Sequence, residues 1–187
     1  MSTTRKLVVT QNVTLDGSIE MLDPWFSPEA GSDTDDLFEE MARQDETHDA
    51  VLFGRRTFED MRGYWPHQSD DQTGIAQSLN SVTKYVVSST LDDPGWQGSV
   101  VLRGDPIEEV RALKDAAGQD IVCTGSISLV HALVPSGLID EYRLFVYPAV
   151  QGRGRRLFPA GSAVPRLELL RTRSFRSGVV LTTYRPH

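Results

Sequence analysis

The sequence is poor in cysteine and has no long apolar segment, and each shortage excludes a class of protein. Cys123 is the single cysteine, so no internal disulfide can form, and no Cys/His group has the spacing of a zinc site. No stretch reaches the roughly 18 to 20 apolar residues of a membrane helix. The N-terminal segment turns polar too early for a secretory signal. These absences predict a cytoplasmic protein without a metal site.

Positive charge is also scarce. The 19 Lys and Arg are outnumbered by 26 Asp and Glu, which leaves a net charge of −7. This excess of acid opposes general affinity for nucleic acid or anionic membranes, so any anion site must be local. The 187 residues and ordinary hydrophobic content of 39% predict one globular domain spanning residues 1–187.

Predicted strands, tight turns and helices alternate along most of the chain. Apolar or β-branched runs predict strands, and Asp105-Pro106 predicts a helix that begins there and ends at Gly118. This order is typical of an α/β protein, a three-layer α/β/α sandwich with a mainly parallel sheet. Near the end of the chain, residues 167–171 and 179–185 alternate like an antiparallel hairpin. The predicted strands before them are 5–14, 50–53, 84–87, 99–102, 120–123 and 142–147.

Two strand-to-helix turns carry residues suited to an anion. Gly54-Arg55-Arg56-Thr57 places two cations and a hydroxyl where helix amides are unpaired, and Thr124-Gly125-Ser126 allows close backbone approach. Each also has a structural interpretation, as a solvated helix start and as a helix cap. Ser88, Ser89 and Arg103 end two further strands, and all four segments are expected on one edge of the sheet.

The order of several motifs is similar to that of a known superfamily. These motifs are Val13–Gly17, Leu52–Glu59, Lys84–Leu91, Thr124–Ser126, Gly137–Leu144 and Pro148–Phe158. Together they span nearly the whole chain. The sequence resembles the dihydrofolate reductase-like superfamily, and most closely the stand-alone relatives of the reductase domain of bacterial riboflavin biosynthesis, the RibD C-terminal domain.

The resemblance implies an NADPH site. It places Arg55, Arg56 and Thr57, after Gly54, near the cofactor phosphates, and Ser88 and Ser89 beside the adenosine end. It also implies that Thr124, Gly125, Ser126 and Ile127 cradle the diphosphate. Family members often have two or more glycines in this turn, whereas here Thr124 precedes a lone Gly125.

Three carboxylates are candidates for proton delivery in such a reductase. Asp35 and Asp36 are nearest to the usual position, on the helix before the Gly-Arg segment, and Asp16 matches the riboflavin-type Leu-Asp-Gly segment. Each has a second interpretation. Asp35 and Asp36 also favour a positive helix N-terminus, and Asp16-Gly17 is a good turn former.

The leading hypothesis is an NADPH-dependent reductase of a small heterocycle, riboflavin-type or dihydrofolate-like. Trp25, Phe26 and Tyr64-Trp65-Pro66 could wall a flat ring by stacking, although aromatic residues near helices often only pack. One alternative is an NADPH-binding module without turnover, and another is a homodimeric interaction domain that uses its β-rich edge. The resemblance implies a homodimer, and no nucleic acid or membrane partner is expected.

Overall fold

The computed structural model describes residues 5–26, 33–164 and 166–187. Their strands are β1 (Leu7–Thr14), β2 (His48–Gly54), β3 (Thr83–Val87), β4 (Ser99–Leu102), β5 (Asp120–Cys123), β6 (Glu141–Tyr147), β7 (Leu167–Ser174) and β8 (Val180–Pro186). Their helices are α1 (Asp35–Asp45), α2 (Arg55–Tyr64), α3 (Ile75–Ser81), α4 (Pro106–Asp115) and α5 (Ile127–Leu133). Short 3₁₀ turns follow α2 and α5.

The strands form one eight-stranded sheet in the order β4-β3-β2-β5-β1-β6-β8-β7. The first six of these strands are parallel, while β8 is antiparallel to both β6 and β7. The predicted parallel sheet with a C-terminal antiparallel hairpin is therefore confirmed. The carboxyl ends of β2, β3, β4 and β5 meet at one edge, which is where an open α/β sheet binds ligands.

Alternating side chains on each central strand bury two faces. On β1, Leu7 and Val9 pack into the core cluster that contains residues of α4 and α5, and Val8 packs into the cluster around Phe58 of α2. Leu37 of α1 joins a third cluster with Phe145. A right-handed crossover puts its helix on the face that is set by the direction in which the chain moves across the sheet. This direction reverses after β4, so the helices before β4 lie on one face and those after it lie on the other. The result is a three-layer sandwich.

A β-bulge changes the alternation at the start of β2. Opposite β5, the register shifts between His48 and Ala50, where His48 pairs with Asp120 and Ala50 pairs with Ile121. The extra residue, Asp49, turns outward and forms an ion pair with Arg5. Such a bulge re-aims side chains, and it leaves His48 buried beside the end of α1.

Two local predictions differ from the structure. Helix α3 was not predicted, because its seven residues contain few apolar side chains, yet Asp71 binds the Ala76 amide at 2.8 Å near its start. Helix α4 ends at Asp115 rather than at Gly118. Asp105 caps α4 as expected, accepting from the Ile107 and Glu108 amides. The segment Ser32-Asp33-Thr34-Asp35 has the sequence pattern of a helix capping box. Ser32 lies outside the described residues, and α1 begins at Asp35.

In the described ranges, no helix has the length and apolar character needed to span a bilayer. Cys123 is buried at the end of β5, and burial raises the pKa of its thiol to about 12. It therefore belongs to the core.

Candidate active site

A polar groove of about 840 Å³ runs along the carboxyl edge of the parallel strands. It is lined by Gly54, Arg55, Arg56, Thr57, Asp60, Val87, Ser88, Ser89, Thr90, Gly104, Pro106, Ser126, Ile127, Ser128, Leu129, Ala132 and Arg155. The segments that end β2, β3, β4 and β5 thus converge on one cavity.

The floor of the polar groove is a close contact between the ends of β2 and β5. The Gly54 amide donates to the Gly125 carbonyl at 3.0 Å. A Cβ at Gly54 would overlap the Ser126 side chain, and one at Gly125 would lie 2.9 Å from the Thr57 hydroxyl. Gly125 also has a φ of 147°, a conformation that glycine adopts easily. Glycine at both positions therefore lets the two turns meet.

Three arginines give the polar groove its positive charge. Arg55 pairs with Glu59 at 3.3 Å within α2, and Arg155 pairs with Glu20 at 2.6 Å across two loops. Arg56 is exposed and makes no ion pair with another described residue. Against these cations the groove carries one acid, Asp60. The side chains and the N-terminal amides of α2 together suit a ligand with several anionic oxygens.

Two predicted groove residues have other partners. The Ser88 hydroxyl is buried and accepts from the Thr90 and Leu91 amides at 3.2 and 3.0 Å, so it holds the loop after β3. The Arg103 guanidinium donates to the Leu91 carbonyl at 2.8 Å and lies outside the groove lining. Ser89 remains open in the groove.

A second cavity, the apolar pocket, has a volume of about 530 Å³ and lies between the sheet and the α1–α3 layer. It is lined by Thr10, Gln11, Asn12, Met21, Phe26, Leu37, Phe38, Met41, Gln44, Asp45, His48, Val51, Phe53, Met61, Tyr64, Trp65, Ile75, Ser78, Leu79, Val122, Thr124, Arg143, Phe145 and Tyr147. Its size is within the range of small-molecule sites.

The two cavities adjoin at the ends of β2 and β5. Phe53 lines the apolar pocket and its chain neighbour Gly54 lines the polar groove. In the same way, Thr124 faces the pocket, with a buried hydroxyl that has no hydrogen-bond partner among the described residues, while Ser126 faces the groove. The linings of the two cavities thus come within one or two residues of each other along the chain, at the ends of both strands.

Aromatic side chains supply much of the pocket wall. The prediction that Phe26, Tyr64 and Trp65 surround a ring-sized space agrees with their positions in the lining. Trp25 packs edge-on against Tyr147, with ring centroids 5.3 Å apart, but is itself outside the lining. Burial raises the pKa of Tyr147 to about 12, so its hydroxyl stays protonated to a higher pH than that of an exposed tyrosine.

One end of the apolar pocket is polar. Asp45 ends α1, His48 begins β2, and Arg143 reaches them from β6. Burial raises the pKa of Asp45, while hydrogen bonding from Ser78 and electrostatic interaction with His48 and Arg143 act in the opposite direction. Asp45 is thus a carboxyl group that keeps its proton more readily than an exposed aspartate.

None of the three predicted carboxylates lines either cavity. Asp16 accepts from the Gln151 and Gly152 amides and from the Thr14 hydroxyl, and the Thr14 bond is the largest cause that lowers its pKa to about 2. Asp35 is exposed in the first turn of α1, and Asp36 accepts from the Arg176 amide at 3.1 Å. A catalytic role for these groups stays a prediction.

Comparison with known proteins identifies the family. A family model described as the RibD C-terminal domain matches residues 5–181. The chain belongs to this family. Uncharacterized protein YyaP of Bacillus subtilis (strain 168) is 33% identical over 187 residues, which cover 96% of this chain and 94% of that protein.

Two solved structures show how widely the RibD C-terminal domain fold is shared. A putative riboflavin biosynthesis protein from Shewanella sp. PV-4 has a TM-score of 0.71 at 18% identity, covering 97% of this chain and 99% of that one. Dihydrofolate reductase from Enterococcus faecalis, complexed with NADP(H) and RAB-propyl, has a TM-score of 0.63 at 18% identity, covering 96% and 95%. The expected dihydrofolate reductase-like fold is confirmed.

Sequence reasoning for this RibD C-terminal domain missed four site residues, namely Asp45, His48, Arg143 and Arg155. Asp45 and His48 carry no motif, because their burial depends on how α1 meets β2. Arg155 lies in the basic segment Gly152–Arg156, so its charge was a usable signal. No cluster of three or more metal-ligating side chains occurs in the part of the chain that the structure describes.

Proposed function

We propose that this protein is an NADPH-dependent reductase of a small heterocyclic substrate. The observation that supports it most is the junction of two unlike cavities. A groove with three arginines and a pocket with aromatic walls meet where β2 and β5 end. A cofactor that is polyanionic along most of its length and flat at its reactive end matches this pair of cavities.

The residues of the polar groove fit NADPH. Arg55, Arg56 and Arg155 offer guanidinium groups to its phosphates, and the Thr57 and Ser89 hydroxyls add hydrogen bonds. The absence of a side chain at Gly54 lets the turns after β2 and β5 meet closely at the junction. Related folds support this assignment, since the Enterococcus dihydrofolate reductase is complexed with NADP(H). When bound, the cofactor supplies a hydride.

The apolar pocket provides the place for the substrate ring. Phe38 and Met41 of α1 lie on one side and Phe145 of β6 lies on the sheet side, so the pocket favours a flat molecule and excludes bulk water from it. The Tyr147 side chain belongs to the pocket lining, and its hydroxyl can supply a hydrogen bond to the ring.

Reduction of a C=N or C=C bond also needs a proton. Asp45 is the carboxyl group of the pocket lining, and burial raises its pKa. We propose that Asp45 holds a proton at the polar end of the pocket and donates it to the substrate, directly or through water.

Titration of the purified protein with NADPH and NADH tests the proposal. We expect NADPH to bind at least tenfold more tightly, because it carries one more phosphate for the arginines of the groove. A panel of dihydropterins and aminouracils then tests turnover by the loss of reduced-nicotinamide absorbance. Absence of NADPH binding, or equal affinity for NADH, would count against a reductase of this kind. Tight binding without turnover on the panel would favour a module that only binds the cofactor.

We also propose a homodimer formed through the C-terminal edge of the sheet. Leu169 and Leu170 of the edge strand β7 are 53% and 44% exposed. Unpaired backbone groups of an edge strand and exposed leucines favour pairing with a second copy. Equilibrium sedimentation of the wild type and of Leu169→Lys tests this, and a monomeric wild type would contradict it.

A further inference from the structure

The charges of the two cavities differ sharply. The polar groove has Arg55, Arg56 and Arg155 against Asp60 in its lining. Arg55 and Arg155 also pair with Glu59 and Glu20, which leaves Arg56 without an ion pair to a described residue. The apolar pocket has one guanidinium, that of Arg143, against the carboxyl group of Asp45. A phosphate monoester needs several cationic or amide donors to replace its hydration, and the groove offers them while the pocket does not.

The guanidinium of Arg143 is already committed to protein carboxylates. Its Nε donates to Glu141 at 2.7 Å, and both side chains are about nine-tenths buried. The same guanidinium also acts electrostatically on Asp45. Lys6 pairs with Glu141 at 3.8 Å from the solvent side and lies outside the pocket lining. A phosphate placed beside Arg143 would therefore have to share its guanidinium with the Glu141 carboxylate.

Every lysine and arginine of the chain is included in this comparison. Residues 1–4, 27–32 and 165 contain neither lysine nor arginine, so all 19 of these cations lie in the described ranges. The remaining basic side chain of the pocket is His48, which is 7% exposed.

His48 has an unused hydrogen-bonding atom. Its Nδ1 is buried and makes no hydrogen bond with any residue that the structure describes. The bulge at Asp49 places the His48 ring on the pocket face of β2, beside Asp45. A buried polar atom without a partner costs stability. Because this atom is shut off from the pocket, the His48 ring has to turn before a ligand can supply the partner.

We infer that the apolar pocket takes a neutral, flat heterocycle without a phosphate group, held at its polar end by a hydrogen bond to His48. This inference rests on the proposed function for the identity of the pocket as the substrate site. It distinguishes the substrate from the 5-phosphoribosyl compounds that a riboflavin-type assignment suggests. The three methionines of the lining, Met21, Met41 and Met61, adapt their shape to such a ring.

The test compares two fluorescent probes that differ by one phosphate, 6-hydroxymethylpterin and its phosphate monoester. Binding is measured by fluorescence titration with and without saturating NADPH, which keeps the polar groove from capturing the monoester. We expect 6-hydroxymethylpterin to bind at least tenfold more tightly than the monoester when NADPH is present. Equal or tighter binding of the monoester, or failure of the neutral probe to bind, overturns the inference.

Variants of His48 test the hydrogen bond. His48→Leu should weaken binding of 6-hydroxymethylpterin by about three- to tenfold, the size of one hydrogen bond, while His48→Gln keeps a polar atom and loses less. His187→Leu, in the C-terminal residue outside both cavities, is the matched control. The melting temperature and NADPH affinity of each variant report on the fold. Undiminished binding by a folded His48→Leu protein contradicts the role of His48.

The two proposals can fail separately. If NADPH does not bind but the pterin pair is discriminated as expected, the reductase proposal fails and the chemistry of the pocket stands. If NADPH binds and the monoester is preferred, the reductase proposal stands and the neutral substrate class is wrong.

Discussion

The Trp25 indole donates a hydrogen bond to the side-chain oxygen of Gln151 at 2.8 Å, joining the loop after β1 to the loop after β6. The amide nitrogen of Gln151 donates in turn to the Ser18 hydroxyl at 2.8 Å and to the Glu20 carbonyl at 2.9 Å. The first loop carries Met21 and Phe26 of the apolar pocket, and the second carries Arg155 of the polar groove. Gln151 thus ties parts of both cavities together.

Replacing Gln151 should therefore affect both ligands at once. Gln151→Leu removes the bonds to Trp25, Ser18 and Glu20, and we expect weaker binding of both NADPH and the pterin probe in the same variant. Fluorescence titrations of the two ligands measure it. Gln97→Leu, an exposed residue outside both linings, is the control. A change confined to one ligand would show that the loops move independently.

Arg56 is predicted to bind cofactor phosphate. Arg56→Gln should lower NADPH affinity by roughly tenfold or more, since hydrogen bonds to charged groups contribute about 1.5–3 kcal/mol. Melting temperature should hardly change, because the side chain is exposed. Arg111→Gln removes an exposed arginine of α4 that pairs with Glu108 and should leave affinity unchanged. Equal effects of the two substitutions would argue for a general charge effect instead of a site.

Alanine substitutions at Gly54, which lies at the junction, and at Gly63, which lies in open space, should have opposite effects on stability. Gly54→Ala should reduce the free energy of unfolding by about 1–3 kcal/mol, because the new methyl group overlaps Ser126. Gly63→Ala, in α2 with open space around its Cα, should raise it by about 0.4–1 kcal/mol. Urea denaturation measures both. Tolerance of Gly54→Ala with full stability and NADPH affinity would mean that the two turns separate easily.

Asp45 should make stability depend on pH in a defined direction. Burial raises its pKa in the folded protein above the ordinary 3.8, so the folded state binds this proton more tightly than the unfolded state. The stability that this contributes is present below pH 3.8 and is lost as the pH rises through the raised pKa. Asp45→Asn should therefore gain stability relative to the wild type with rising pH, while turnover falls.

Unfolding in urea at several pH values, compared between the wild type and Asp45→Asn, isolates this effect because other titrating groups are common to both. Asp60→Asn, an exposed acid of the polar groove, serves as the stability control. A pH-independent difference between the wild type and Asp45→Asn would mean that the carboxyl group titrates normally.

Lys84 is a completely buried cation with a structural role. Its ammonium group donates to the Leu79 and Val82 carbonyls at 2.8 and 2.9 Å and lies 4.9 Å from the centre of the Trp96 ring. Burial lowers its pKa. Lys84→Met should destabilise the fold by about 1–3 kcal/mol, since both carbonyls lose their donor. Lys6→Met, at a mostly exposed lysine, should have little effect on the urea midpoint.

Local sequence signals predicted most of the fold and the position of the polar groove. Two of these signals are strong, the apolar run before Gly54 and the helix start at Asp105-Pro106. Each depends only on residues that are neighbours in the chain. Ser89 and Arg56 then reach the groove through the general rule that parallel strands end at one edge. The side chain of Arg103 does not line the groove, because its guanidinium donates to the Leu91 carbonyl.

The chemistry of the apolar pocket was less accessible from sequence. Asp45 and His48 come to line the same pocket only when α1 packs on the sheet and a bulge turns the start of β2. Helix α3, which adds Leu79 to the pocket, is too short and too polar to show clear periodicity. Such features arise from contacts between distant segments, and a single sequence does not display them.

The two cavities are lined largely by different helices, and this affects how new specificities can arise in this fold. Helices α1 and α3 contribute side chains to the apolar pocket, and α5 contributes to the polar groove. Residues such as Phe38 and Leu79 can therefore be exchanged in a directed-evolution library without altering the surface that would grip the nucleotide. The same backbone can thus acquire a different small-molecule specificity in the apolar pocket while the polar groove stays unchanged.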